Sequence, residues 1–260
     1  MTIIAFNRYW VIRWHWVLVS LLVAACLTAL SLWQLSRAAE KKQTLQRIAQ
    51  SQAAGPLDAQ QLLALNTKSR DAIDVQFPAR WIAPMIWLLD NQQVDGRIGY
   101  DVVIAVEQIR PTEQSTRSTD HAVSSSITPA LLVNLGWVAA QGSRDQLPEV
   151  NVPAELMVNG IFRANAKGLL LGKNIEDKGQ WPMRIQQIDA GLLSDYIPSL
   201  SRSGVIFQQQ QSPFYVHYQP VILPPERHTA YAVQWALLAI AVIVIALSAS
   251  ATRELAHDKS

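Results

Sequence analysis

At 260 residues with a formal net charge of +2, the chain lacks the basic surplus of a nucleic-acid binder, and nucleic acid is excluded as a partner. Charged residues make up 16% of it, yet none falls in two long apolar stretches, Trp14 to Leu35 and Thr229 to Thr252. The one cysteine, Cys26, lies inside the first stretch, which leaves the region between without disulfides or thiolate metal sites.

At about 1.5 Å per residue, each stretch is long enough to cross a hydrocarbon core of roughly 30 Å. Trp14 and Trp16 open the first and Trp33 closes it, placing indoles at both expected interfaces. His15 falls between two of them and reads as an interface residue. The run Val23-Ala24-Ala25-Cys26 resembles a lipidation site, but the apolar character continues to Leu35, which argues against lipidation and against a cleaved signal. The second stretch carries Tyr231 and Trp235 near one end and Arg253 beyond the other. Two spans put both termini on one side. Arg8 and Arg13 before the first span are countered by Arg37, Lys41, Lys42 and Arg47 after it, so local charge does not orient the chain. A signal-anchor start places both termini in the cytoplasm and the central domain in the periplasm of a bacterial inner membrane.

Beyond the first span, Arg37 to about Gln52 extends the helix until Gly55-Pro56 breaks it, and residues 57–65 predict a short amphipathic helix. Strand patterns follow: Ala79 to Asp90, a turn-rich NQQVDGRIG, then DVVIAVEQI. A polar run, given as a flexible loop over 111–130 and containing His121, separates these from LLVNLGWVAA. Further strands are expected at Glu155–Arg163, Leu169–Gly172, Gly204–Gln209 and Phe214–Leu223, with a helix over Asp189–Ile197. The fold class is an α+β membrane protein: two transmembrane helices flanking a mainly antiparallel β sandwich or barrel with small helices. The expected segments are 1–13 cytoplasmic, 14–36 spanning, 37–228 periplasmic, 229–252 spanning and 253–260 cytoplasmic.

Gly-rich phosphate loops, HExxH and GxSxG are absent, so the chain reads as a non-enzyme. Gly96 and Gly99 read as turn glycines. Gly136 beside Trp137 reads as close strand packing, and His217, alternating with apolar neighbours, as a solvent-facing strand residue.

Four stretches in order resemble the surfeit locus protein 1 family, membrane proteins that assist assembly of haem-copper cytochrome c oxidase. Leu32-Trp33-Gln34-Leu35-Ser36-Arg37 is similar to the family's WQxxR ending of the first span, and Gly96-Arg97-Ile98-Gly99-Tyr100 to its GxxGY turn. Val133-Asn134-Leu135-Gly136-Trp137-Val138 resembles VNRGWV, with Leu135 where the family has Arg, so no role of that guanidinium carries over. His228 to Trp235 resembles the HxxYxxxW start of the second span. The resemblance implies an assembly factor in the respiratory chain, acting as a chaperone on the largest oxidase subunit, with haem a synthase as a further partner and lipid around its spans. It also implies haem a as a cofactor, held through a histidine at the position of His228.

If both termini are cytoplasmic, Trp33, Arg37, His228, Tyr231 and Trp235 share one membrane level. On a helix, His228 and Trp235 project in nearly the same direction, as do Trp33 and Arg37. Together they offer an imidazole for haem iron, flat rings for a porphyrin face and a guanidinium for propionates. Interface preference alone also accounts for the aromatic residues and the flanking Arg37. Asn134, Gly136 and Trp137 are the candidate partner-binding residues. The competing readings are a haem-independent scaffold for oxidase subunits and a two-span sensor, the latter disfavoured because an eight-residue tail holds no output domain.

Overall fold

The computed structural model describes residues 2–5, 8–11, 14–66, 70–109, 129–142, 146–164 and 172–252, with residues 2–5, 8–11 and 250–252 described as backbone. In chain order the elements are β1 (Thr2–Ala5), β2 (Arg8–Val11), α1 (Trp14–Ala54), α2 (Ala59–Ala64), β3 (Ile73–Val94), β4 (Arg97–Gln108) and β5 (Ala130–Ala139). Then come β6 (Glu155–Arg163), β7 (Ile175–Glu176), β8 (Met183–Ile185), α3 (Ala190–Leu193), β9 (Leu200–Gln208), α4 (Pro225–Ser250) and β10 (Ala251–Thr252). The chain divides into two compact units: Met1–Leu45 with Val221–Ser260, and Gln46–Pro220.

In the first unit, α1 and α4 are both long and apolar enough to cross a membrane. Their apolar side chains, among them Leu18, Leu22, Ile240 and Ile245, lie mostly on exposed faces. Pro225 starts α4 where a helix needs no N–H donor, and Glu226 in its first turn complements the helix dipole. The residues withdrawn from the surface form a stripe on each helix: Ala24, Ser31 and Ala38, seven apart, on α1, and Ala232 and Ala239, seven apart, on α4. A seven-residue period of small side chains is the pattern that lets two helices approach along a seam. The two are antiparallel, since Ser31 meets Ala232 while Gln34 meets His228. Beyond the spans, β1 and β2 form a hairpin to which β10 adds a strand through Ala251↔Trp10 and Thr252↔Tyr9.

In the second unit, β3 pairs with β6 over Ile73–Arg80 and with β4 over Ala79–Val94, and the ladder continues β4 to β5, β5 to β9 and β9 to β6. That closes a five-stranded ring, β3-β4-β5-β9-β6, antiparallel except for β5–β9. The edge of β3 that β6 leaves after Arg80 is taken up by β8, parallel, at Trp87–Leu89, and β8 carries β7. Closure leaves few open edges, and β7–β8 covers one that remains.

Period-two alternation sorts the side chains. Val75, Phe77 and Ala79 of β3, Tyr100, Val102, Ile104 and Val106 of β4, and Leu131, Val133 and Leu135 of β5 fill the barrel with Phe162 and Ile206. Ala59 and Leu62 of α2 join that core. A capping box starts α2: Asp58 accepts from Gln61 N at 2.8 Å and Gln61 Oε1 accepts from Asp58 N at 2.9 Å. The opposite faces of β4, β5 and β9 carry Val103, Ala105, Ala130, Leu132, Val205 and Phe207, which pack in a second core with β8, α3 and Leu200. Both faces of β4 and β5 are therefore covered, and Gly99–Val106 and Ala130–Trp137 are buried without interruption. Each large side chain buried here contributes about 1.5–3 kcal/mol.

Three sequence expectations need correction. Phe214–Leu223 is not a strand: one isolated bridge, Trp137↔Tyr215, is all the pairing it makes among the described residues, because Pro213 and Pro220 bracket a short stretch and β5 is open to it only past Asn134. The helix expected over Asp189–Ile197 is one turn, α3, capped by Asp189 and followed by turns that lead to Pro198. The strand expected at Ala79–Asp90 is longer and begins at Ile73. Residues 110–128, with His121, and all but Gly172 of the strand expected at Leu169–Gly172 lie outside the described residues.

Candidate functional site

The first cluster lies on the seam of α1 and α4. His228 is in the first turn of α4, half-buried, with Nδ1 2.7 Å from Oε1 of Gln34. Ser31, one turn before Gln34, donates from Oγ to the carbonyl of Ala232 at 2.8 Å, and Ala232 is one turn after His228. These two contacts join residues about 200 positions apart and set the register of the helices. In an apolar medium such interhelical hydrogen bonds are worth roughly 0.6–1.7 kcal/mol each.

The other expected members of this cluster are spread around the seam. Trp33, next to Gln34 on α1, is exposed and has the Arg37 guanidinium 5.7 Å from its ring centroid. Arg37 also pairs with Glu40 at 2.7 Å, both side chains being solvent-exposed. On α4, Trp235 is half-buried and Tyr231 exposed. His15 lies between the rings of Trp14 and Trp16, at 6.1 and 6.0 Å. The residue that sequence reasoning passed over is Gln34. Its signal was present in the seven-residue spacing Ala24-Ser31-Ala38, whose intermediate positions include Gln34.

The second cluster lies on the outer face of β4 and β5, where Asn134, Gly136 and Trp137 are all buried or nearly so. Asn134 donates from Nδ2 to Asp101 Oδ2 at 2.8 Å and accepts from Gly136 N at 2.9 Å. Gly136 sits at φ +116°, and a Cβ there would come within 2.6 Å of the Tyr215 carbonyl. The Trp137 ring lies over Gly99, where a Cβ would collide with the indole, and the Arg97 guanidinium lies 5.5 Å from the ring centroid. Gly99 is thus needed for close approach, and the turn that precedes it is Asp95-Gly96, both at positive φ as a two-residue hairpin demands.

His217, expected to face solvent, instead reaches Asp101: Nε2 lies 2.6 Å from Oδ1, and its side chain is 24% exposed. The segment that carries it is no strand, so alternation did not dictate its direction. The hydrogen bond to Asp101 raises the His217 pKa, Asp101's charge adds to the effect, and burial opposes both. Next to it, Tyr218 stacks on Phe207 at 3.8 Å and accepts from Arg163, which also pairs with Asp71 at 3.0 Å. Residues 212–218 are thereby fastened across the barrel by side chains where backbone pairing is sparse.

Two of the four motif stretches thus meet in the α1–α4 unit and the other two on adjacent strands of the barrel. A family model, that of the SURF1 family, matches residues 21–240. The chain belongs to the SURF1 family. The SURF1 family, that of surfeit locus protein 1, is one of cytochrome c oxidase assembly factors. No curated protein matches the chain. The match includes α1 from Leu21 and α4 as far as Ile240, so both motif clusters of this SURF1-family chain lie within it.

Proposed function

We propose that this chain is a membrane-anchored assembly factor for haem-copper cytochrome c oxidase that assists delivery or insertion of haem a into the largest subunit. In this reading α1 and α4 span a bacterial inner membrane, both termini are cytoplasmic, and the barrel is periplasmic. The exposed apolar faces of the two helices support a lipid setting, since water would leave them uncompensated. The pairing of β10 with β2 supports two span ends on one side.

The observation that carries the haem part is His228 on the seam with one ring nitrogen engaged by Gln34. A haem-ligating histidine offers one nitrogen to iron and its other N–H to an acceptor, so this donor set fits the group. Trp235 and Tyr231 on α4 and Trp33 on α1 would supply ring faces, and Arg37, exposed beside Trp33 and Glu40, would be available to propionates. Haem a would bring a redox iron to be handed on; the protein's part is to hold and release it. No covalent chemistry by the chain is needed.

The barrel would serve the partner. Asn134, Gly136 and Trp137 of β5 would act from beneath, by holding β4, on which Arg97 and Ile98 are exposed, and by the bridge from Trp137 to the exposed Tyr215. Ile98 is 68% exposed and Tyr215 56%, an apolar and aromatic face suited to an oxidase subunit, with haem a synthase as a further candidate. A deletion strain tests the assembly role. Oxidase level and haem a content should fall and be restored by the wild-type chain; unchanged levels would refute it.

A further inference from the structure

We propose that Gln34 is a positioning residue that fixes the tautomer of His228, holding the proton on Nδ1 and leaving Nε2 as the bare nitrogen. The contact is 2.7 Å, from Nδ1 to the amide oxygen. With the Gln34 amide oxygen facing the ring, the Nδ1–H tautomer is the one that completes this hydrogen bond, since an amide oxygen only accepts. A neutral imidazole has one such hydrogen, and Nε2 keeps its lone pair.

The geometry is held from both sides. Ser31 and Ala232, joined at 2.8 Å, lie one turn from Gln34 and His228 respectively, so the helices cannot slide without breaking that bond. Ser31 and Ala232 are both buried, which leaves little room for an alternative register. Glutamine fixes the ring through a dipole and adds no charge to the seam, where an ion would be costly. His217 offers the contrast: a carboxylate faces it, which favours a proton on both nitrogens. Of the two histidines, only the one facing an amide is arranged to present a lone pair. What that lone pair is used for rests on the haem reading above; the tautomer does not.

The test is nitrogen NMR on the full-length, haem-free protein in lipid nanodiscs with ¹⁵N-labelled histidine, at alkaline pH, His228 being assigned by its loss in His228→Ala. The wild type should show a protonated Nδ1 and an unprotonated Nε2. Gln34→Met removes the acceptor and should move the population towards the Nε2–H form, while Gln34→Glu keeps an acceptor and should retain Nδ1–H. An Nε2–H wild type overturns the proposal whatever the variants do, and so does a Gln34→Met spectrum identical to wild type. Titrated with haem, Gln34→Met should bind about tenfold more weakly or worse, in line with outer-shell partners of ligating histidines. Failure of the wild type to bind haem at all would overturn the use of Nε2, while the tautomer is decided by the haem-free spectrum.

Discussion

His217 and Asp101 stand 116 residues apart in the chain and meet at 2.6 Å, and through Asn134 the same carboxylate reaches the backbone of Gly136. One buried acid therefore ties β4 to β5 and to the segment that follows β9.

That pair makes stability depend on pH with a definite sign. The His217 pKa is raised, so above the ordinary histidine value of about 6.5 the folded protein keeps a proton that the unfolded chain has lost. The contribution is complete below that value and is lost as pH rises through the folded pKa. The thermal midpoint of the full-length protein should fall across this interval, and His217→Gln should remove that part of the slope. Asp101→Ala, which strands both partners, should cost on the order of 2–3 kcal/mol.

Gly136→Ala places a Cβ against the Tyr215 carbonyl at a backbone angle that alanine disfavours. Strain and displacement together should destabilise the barrel by roughly 1–3 kcal/mol, read as a lower unfolding midpoint. A midpoint within error of wild type would mean that the segment around Tyr215 yields freely.

Ala232 is buried on the α1–α4 seam, whereas Val233 beside it is exposed. Ala232→Leu should overpack the seam and cost about 1–3 kcal/mol, while Val233→Leu should be neutral in lipid. Circular dichroism melts in nanodiscs separate the two; equal effects would contradict the seam.

On the barrel, Ile98→Asp and Tyr215→Ala should leave folding intact and weaken co-purification of the largest oxidase subunit, since both side chains are exposed. His228→Ala should not weaken it. If recovery of the subunit depends on His228 and not on Ile98 or Tyr215, the partner face is misplaced.

The two apolar helices and the strands of the barrel were legible because their signals are local: apolar length for α1 and α4, alternation for β4 and β5. The α+β class and the family followed from the same stretches. Three features did not. Residues 212–218 are rich in strand formers, yet their place is set by side-chain bonds to Asp101, Arg163 and Leu135, long-range partners that no local pattern contains. His217 was misread for the same reason. Gln34 lay within a recognised motif, but its meaning depends on which face of α1 meets α4, and the conspicuous neighbours Trp33 and Arg37 are on the exposed side of that helix.

The central claim is that His228 of the α1–α4 seam holds haem a. It is tested most directly by the absorption spectrum of the protein purified from cells that make haem a, with His228→Ala alongside. The account predicts a haem a spectrum in the wild type and its loss in a variant that still folds and inserts. A haem-free wild type that supports normal oxidase assembly, or a His228→Ala protein with the unaltered spectrum, would contradict it.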